Sequence, residues 1–274
     1  MKHIIYIVFF LISLLPIPIL SLLSKLLNKI NHSVFKYRYD VSKNNIKTSF
    51  PQLNKSQTNK IFLKFYYHLF NLIIEIIKSL TFNKKNILKR VKINNLTQLE
   101  TSIKNKKNIV IMCAHYGNWE WLFLRLSLIE DINLSAIYQK LSNKYFNEII
   151  IKLRTKFGAQ IIPLADWRKF LLNKKKRRTC LFVADQVPQK SQEGIRINFL
   201  NKSTLFHVSP EKTAKLLDAE VYYTDVRKIN KGYYSINLTR LYSKNITQEY
   251  AELLEKTIKQ NPQYWLWSHK RWKR

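Results

Sequence analysis

A histidine and a glutamate stand five residues apart in "AHYGNWEW" (residues 114–121), with a glycine and an asparagine between them. The chain carries only 4 Gly and 6 His in 274 residues, so one short turn has gathered two scarce residue types. A carboxylate bonded to one ring nitrogen of an imidazole aims the ring, raises its basicity and leaves the other nitrogen to take a proton. On a continuous helix, positions five apart diverge, at about 100° per residue. A strand–turn–helix junction removes that objection, because the turn folds the imidazole of His115 back over Glu120. The neighbours suit such a junction. "NIVIMCA" (108–114) is an apolar run of strand length, Gly117 permits a tight turn, and Asn118 is a good N-cap for a helix starting at Trp119. Glu120 then falls in the first helical turn, where the helix dipole favours its charge. No serine or cysteine nucleophile is obviously placed beside His115, which favours direct attack by a substrate hydroxyl that His115 deprotonates. A plainer reading stays open at this point: a buried polar turn in which His115 caps backbone groups.

The elements around this turn alternate. Residues 55–80 carry apolar side chains at mixed three- and four-residue spacings and read as one amphipathic helix, with His68 and Glu75 inside it. "LTQLETSIKNKK" (96–107) is a shorter helix with Thr97 and Glu100 in capping-box spacing. After strand 108–114 come helix 119–130, strand 132–139, helix 142–158 closed by Gly158, strand 159–165, helix 166–176 and strand 179–186. Helix 210–218 leads into two runs, 220–228 and 232–242, that read as a hairpin at a sheet edge, and helix 247–260 stops before Pro262. This order predicts an α/β fold, a largely parallel or mixed sheet flanked by helices. In such sheets chemistry collects at the C-terminal ends of strands. His115 stands at one such end and Asp185 and Gln186 at another.

From Ile4 to Ser24 no residue is charged. As one helix this segment would reach about 30 Å, enough to cross a hydrocarbon core. No small-x-small cleavage site follows it, and Pro16 and Pro18 offer a re-entrant alternative. Lys25, Lys29, Lys36 and Arg38 flank it, which predicts a cytoplasmic location for the domain that follows. The division is therefore a membrane anchor over 1–30 and a catalytic domain over 31–274. The formal net charge of +31 attracts polyanions such as anionic lipid, an acidic carrier protein or nucleic acid. The abundance of Lys, Asn and Ile together is also what a biased coding genome produces. Cys113 and Cys180 both lie in apolar runs and read as buried thiols rather than as a disulfide or metal site. No metal-ligand spacing and no Gly-rich phosphate loop is present, so neither a metal nor a nucleotide is expected.

"AHYGNWEW" closely resembles the His-x-x-x-x-(Asp/Glu) motif of the bacterial lipid A biosynthesis acyltransferases, and three further matches follow in order. "YQKLSNKYFNEIIIKLRTKFG" resembles the family's second motif, with Arg154 and Gly158 in Arg-x-x-x-Gly. "LFVADQVPQKSQEGIRINFLNKSTLF" resembles its Asp-Gln strand end and Phe-containing loop, and "NPQYWLWSHKRWK" its Trp-x-His-x-Arg ending. The resemblance implies a glycerolipid-acyltransferase-like fold, an acyl carrier protein thioester as donor, no other cofactor, and a glycolipid acceptor at an anionic inner membrane. It makes His115 the base, Glu120 its partner, and Arg154 a group that stabilises charge or binds phosphate. Asn118, Asp185, Gln186 and Arg271 become candidates for substrate binding. His269 is a possible second imidazole, and Trp265, Trp267 and Trp272 suit a membrane interface between cations that include Arg274. The chain departs from the family pattern at "FLNKS" and at Ser209, where glycines are usual, which bears on the acceptor and the acyl length. Two other readings remain: the same chemistry on a different membrane lipid, and a basic nucleic-acid-binding membrane protein. The anchor and the lack of a nucleic-acid module argue against the latter.

Overall fold

The computed structural model describes residues 2–140, 143–172, 177–189 and 192–273. The uncharged N-terminal stretch is not one helix. It forms α1 (Lys2–Leu14) and α2 (Ile17–Ile30), interrupted at Pro16, whose backbone is extended at ψ 148°. Pro16 has no N–H to continue the ladder and biases Leu15 away from helical geometry, whereas Pro18 sits harmlessly in the first turn of α2. Among the described residues no helix is long and apolar enough to cross a membrane. The expected spanning helix is therefore corrected to two shorter ones. Helix α2 buries Leu20, Ser21 and Ser24, and the Ser24 hydroxyl donates to Asn71 Oδ1 at 3.0 Å. A π-turn at Asn31–Phe35 and two left-handed residues, Lys36 and Arg38, then lead into α3 (Tyr39–Ser49). The expected long helix is α4 (Lys55–Lys78), opened by a capping box between Asn54 and Gln57.

A short α5 (Lys84–Arg90) runs into β1 (Val91–Ile93), and α6 (Thr97–Lys104) follows. Thr97 is the first helical residue of α6 and its N-cap, Leu96, makes no side-chain cap, so the expected capping box is absent there. The alternation then appears as read: β2 (Ile109–Cys113), α7 (Trp119–Leu126), β3 (Leu134–Tyr138), α8 (Lys144–Thr155), β4 (Gln160–Pro163), α9 (Trp167–Leu172) and β5 (Thr179–Val183). Residue 142 and residues 173–176, expected at helix ends, lie outside the described residues, as does Arg274. Next come a separate hairpin of β6 (Gly194–Phe199) and β7 (Lys202–His207), helix α10 (Ser209–Leu217), the long strands β8 (Glu220–Asn230) and β9 (Tyr233–Leu241), and α11 (Ile246–Gln260).

Seven strands form one sheet in the order β1-β9-β8-β2-β5-β3-β4, parallel throughout except for the β8–β9 pair. The β8–β9 hairpin exists, but it is not the edge, because β1 pairs in parallel with β9 outside it. Helices cover both faces of the sheet, which is why β2 is apolar at every position. Val110 and Met112 join one core with Phe65, Phe182 and Tyr250, while Ile109, Ile111 and Cys113 join the other with Trp121, Leu181 and Tyr222. Both cysteines are buried and free. The sheet's crevice lies at β2. The chain leaves that strand toward β3 and β4, returns to insert β5 beside it, and later lays β8 on its other flank.

Candidate active site

Strand register assembles the site. Cys113 of β2 pairs with Val183 of β5, and the Ala184 N–H donates to the Cys113 carbonyl at 2.9 Å. His115 and Asp185 each lie two residues beyond that matched pair, so they emerge side by side although they stand 70 positions apart in the chain. Nδ1 of His115 is 2.7 Å from Asp185 Oδ1. Gln186 places its amide nitrogen 3.3 Å from both ring nitrogens. The second oxygen of Asp185 accepts from the Trp265 indole at 2.8 Å. Burial alone would raise the Asp185 pKa. The His115 charge and the hydrogen bonds from His115 and Trp265 outweigh it and hold the group at about 2. An ionised Asp185 can bond His115 only as an acceptor, so Nδ1 carries the hydrogen, which fixes the tautomer and leaves Nε2 as the basic nitrogen. The imidazole is 20% exposed while Asp185 is 3% exposed, so the ring meets solvent and its partner does not.

The expected partner is elsewhere. Glu120, buried in the first turn of α7, is held by Arg154 of α8 through two bonds, Nε to Oε2 at 2.9 Å and Nη2 to Oε1 at 2.5 Å. Trp119 links the two centres. Its ring stands edge-on to His115 at 5.0 Å between centroids, and its indole N–H donates to Glu120 Oε1 at 3.1 Å. The carboxylate bonded to His115 is therefore that of Asp185, and Glu120 reaches the imidazole only through space and through Trp119. Burial opposes the Glu120 charge, but the Arg154 guanidinium outweighs it and lowers the pKa. Arg154, also opposed by burial, is raised in return.

The turn between His115 and α7 is braced from three sides. Gly117 has φ +63°, and a Cβ there would sit 2.7 Å from the Val226 carbonyl oxygen, so both conformation and space require glycine. Asn118 is fully buried and caps α7. Its oxygen accepts from the Trp121 N–H at 3.0 Å, and its amide donates to Glu75 Oε2 at 3.0 Å. Both polar atoms are bonded inside the fold, so the structure gives Asn118, expected as a substrate-binding residue, a bracing role in this turn. Glu75 also takes the Tyr234 hydroxyl at 2.6 Å and Lys228 Nζ at 3.2 Å. His68 Nε2 lies 3.1 Å from the Gly117 carbonyl, to which it donates, and burial followed by the Lys228 charge lowers its pKa to about 3. His68 and Glu75 thus brace the turn that carries His115. The sequence shows them only as polar residues on the buried face of a long helix.

The C-terminal segment closes the turn. The Leu266 N–H donates to the His115 carbonyl at 3.0 Å, the Gly117 N–H to the Tyr264 carbonyl at 3.0 Å, and Tyr116 bridges to Trp265. Trp265 and Trp267 are buried, and so is Arg271 at 2% exposure, so these residues form core and not a membrane-facing fringe. Gln186, Leu266, Ser268 and His269 line a cleft of about 480 Å³ with Tyr37, Arg38, Leu69, Phe70 and Ile73. A larger groove of about 810 Å³, between α3 and the start of α4, holds none of the candidate residues. Among the described residues no cluster could hold a metal ion.

This arrangement can take a proton from a hydroxyl at an exposed imidazole backed by a buried carboxylate, beside a cleft with a largely apolar lining. No curated protein matches the chain. The model of the family described as bacterial lipid A biosynthesis acyltransferase matches residues 1–274, the whole length of the chain. By that match, and with the motif residues gathered at one sheet crevice, the chain is an acyltransferase that belongs to the bacterial lipid A biosynthesis acyltransferases.

Proposed function

We propose that the protein transfers a fatty acyl group from an acyl carrier protein thioester to a hydroxyl of a lipid A precursor, with His115 as general base and Asp185 as its orienting carboxylate. The observation that carries this reading is the 2.7 Å bond from His115 Nδ1 to a buried Asp185 at the paired ends of β2 and β5. Nε2 takes the acceptor hydroxyl's proton as its oxygen attacks the thioester carbonyl. The tetrahedral oxyanion collapses, the C–S bond breaks, and the departing thiolate recovers the proton from the imidazolium. Asp185 stabilises that imidazolium. Glu120 and Arg154 form a bidentate ion pair without net charge that fixes α8 against α7 beside Trp119.

Membrane seating belongs to the same reading. Of the 22 large apolar side chains exposed among the described residues, 13 lie between Ile7 and Tyr37. A concentration of that kind marks an interaction surface. With α1 and α2 each too short to cross, the face lies in the lipid interface, its cations (Lys25, Lys29, Lys36 and Arg38) toward anionic headgroups. Tyr37 and Arg38 end this face and also line the cleft beside Gln186, which gives a lipid acceptor a direct route from bilayer to base.

The test supplies purified full-length protein with acyl carrier protein thioester and a lipid A precursor and follows the acylated product. His115→Ala is expected to lose about 10²–10⁴-fold in kcat. Full activity in a folded His115→Ala protein would overturn the mechanism.

A further inference from the structure

Three of the chain's six histidines, His115, His207 and His269, lie within electrostatic reach of Asp185. Arg271 lies among them, 2% exposed, with its guanidinium carbon 4.6 Å over the Phe206 ring. Among the described residues, none of its Nε, Nη1 and Nη2 has a hydrogen-bond partner, and neither has Nε2 of His269. Burying a guanidinium without a carboxylate bonded to it is strongly unfavourable. A cation–π contact offsets part of that cost. The fold nevertheless keeps this cation within electrostatic reach of Asp185, whose two oxygens are already taken by His115 and Trp265.

The charge balance of the cluster explains what such a cation does. The groups that interact with Arg271 are Asp185 beyond β5, Tyr250 on α11, His207 at the end of β7 and His269 on the C-terminal segment. Around these, Cys113 and Tyr223 face Tyr250, and His115 and Lys273 face His269. Asp185 is one negative charge, and three imidazoles compete to be its counter-ion. Two positive charges near one carboxylate repel one another, so a resident guanidinium disfavours further protonation. We propose that Arg271 is a positioning residue of the acyl transfer: a buried, unpaired cation that keeps His207 and His269 uncharged and leaves His115, which alone is bonded to Asp185, as the single proton acceptor of the cluster. This rests on the reading of His115 as base.

The surroundings agree. Burial, then the Arg271 charge, lowers the pKa of His207 to about 4. Burial chiefly, with His115, Arg271 and Lys273 adding to it and Asp185 opposing, lowers that of His269 to about 4. Burial brings Arg271 itself down to about 10 against the pull of Asp185 and Tyr250, so it remains charged at neutral pH.

The test compares full-length wild type with Arg271→Met, which keeps bulk and deletes charge, and Arg271→Gln, which keeps amide donors and guards against misfolding of the first. Ring-labelled histidine spectra are recorded against pH, alongside kcat and KM. In wild type, His207 and His269 are expected to stay neutral down to about pH 5. In both variants at least one of them takes up a proton above that pH, and the acid limb of kcat moves upward by about one unit, a tenfold change in proton affinity. KM is expected to stay within about twofold, which separates a positioning role from the substrate contact that the sequence also offered, and Arg271→Lys restores the wild-type profile. Unchanged histidine titrations in a folded, uncharged variant overturn the proposal, and so does a rise in KM with kcat and its pH profile intact. The histidine spectra need no turnover, so they test Arg271 even if His115→Ala proves active and the base assignment fails.

Discussion

At His115 the decisive bond is to Asp185, and the two side chains are expected to act as one unit. Asp185→Asn keeps the size but deletes the charge that supports imidazolium, and kcat should fall by about 10²-fold or more. The double variant His115→Ala, Asp185→Asn should be little worse than His115→Ala, because members of one unit are not additive. Asp185 also couples the site to acid stability. Its folded pKa is depressed to about 2 from 3.8, so its contribution is complete above pH 3.8 and is lost as pH falls through about 2. Acid unfolding followed by circular dichroism should therefore lose steepness in that window for Asp185→Asn. Glu120 is expected to behave differently. Glu120→Gln leaves Arg154 without its carboxylate, and because that side chain is 22% exposed the loss should be on the order of 2 kcal/mol, not the full cost of a buried orphan. Thermal melting would register that loss, while the acid limb of kcat should hold its position. A Glu120→Gln protein whose kcat falls as far as that of Asp185→Asn would restore Glu120 as the partner of His115.

The turn between β2 and α7 owes its shape to groups far apart in the chain. Gly117→Ala is expected to destabilise by about 1–3 kcal/mol, since Ala resists φ +63° and its Cβ would press on the Val226 carbonyl oxygen. Melting temperature and activity should fall together, because the same displacement moves His115. At this scale the sequence is legible wherever one element carries its own signal. The strands β2 and β5, the capped α7 and the long α4 were all readable from periodicity and composition. The His115–Asp185 pairing was not, because it depends on β5 inserting beside β2 after the chain has already visited β3 and β4. The β6–β7 hairpin escaped for a chemical reason: its two-residue turn is Leu200-Asn201, with φ +51° and +61°. Turns of that kind usually carry glycine, and here "FLNKS" has none. Strand β1 is three residues long and has no period to detect. The N-terminal stretch was read correctly as apolar, with one spanning helix and a proline-broken alternative both open, since composition alone does not say at which proline a helix breaks; the break falls at Pro16.

For the molecule as a whole, the apolar face of α1 and α2 and the net charge of +31 lead to one expectation about membranes. Full-length protein should float with vesicles containing anionic lipid. The double substitution Leu22→Asp, Leu26→Asp should leave it in the pellet fraction at equal thermal stability, because both side chains are exposed, at 63% and 54%. Flotation unchanged by those substitutions would place the contact on another face. The hydrogen bonds from Leu266 to His115 and from Gly117 to Tyr264 carry a different consequence, one of timing. About 150 residues separate the histidine from the segment that pins it. At a ribosomal pace of about 5–20 residues per second, the sheet crevice waits roughly 8 to 30 s between the synthesis of its histidine and the synthesis of its clasp. Through that interval the apolar N-terminal helices are already outside the ribosome and free to meet lipid. The nascent chain would thus be seated before it is competent, and acyl transfer would begin only after the chain had reached its place of work.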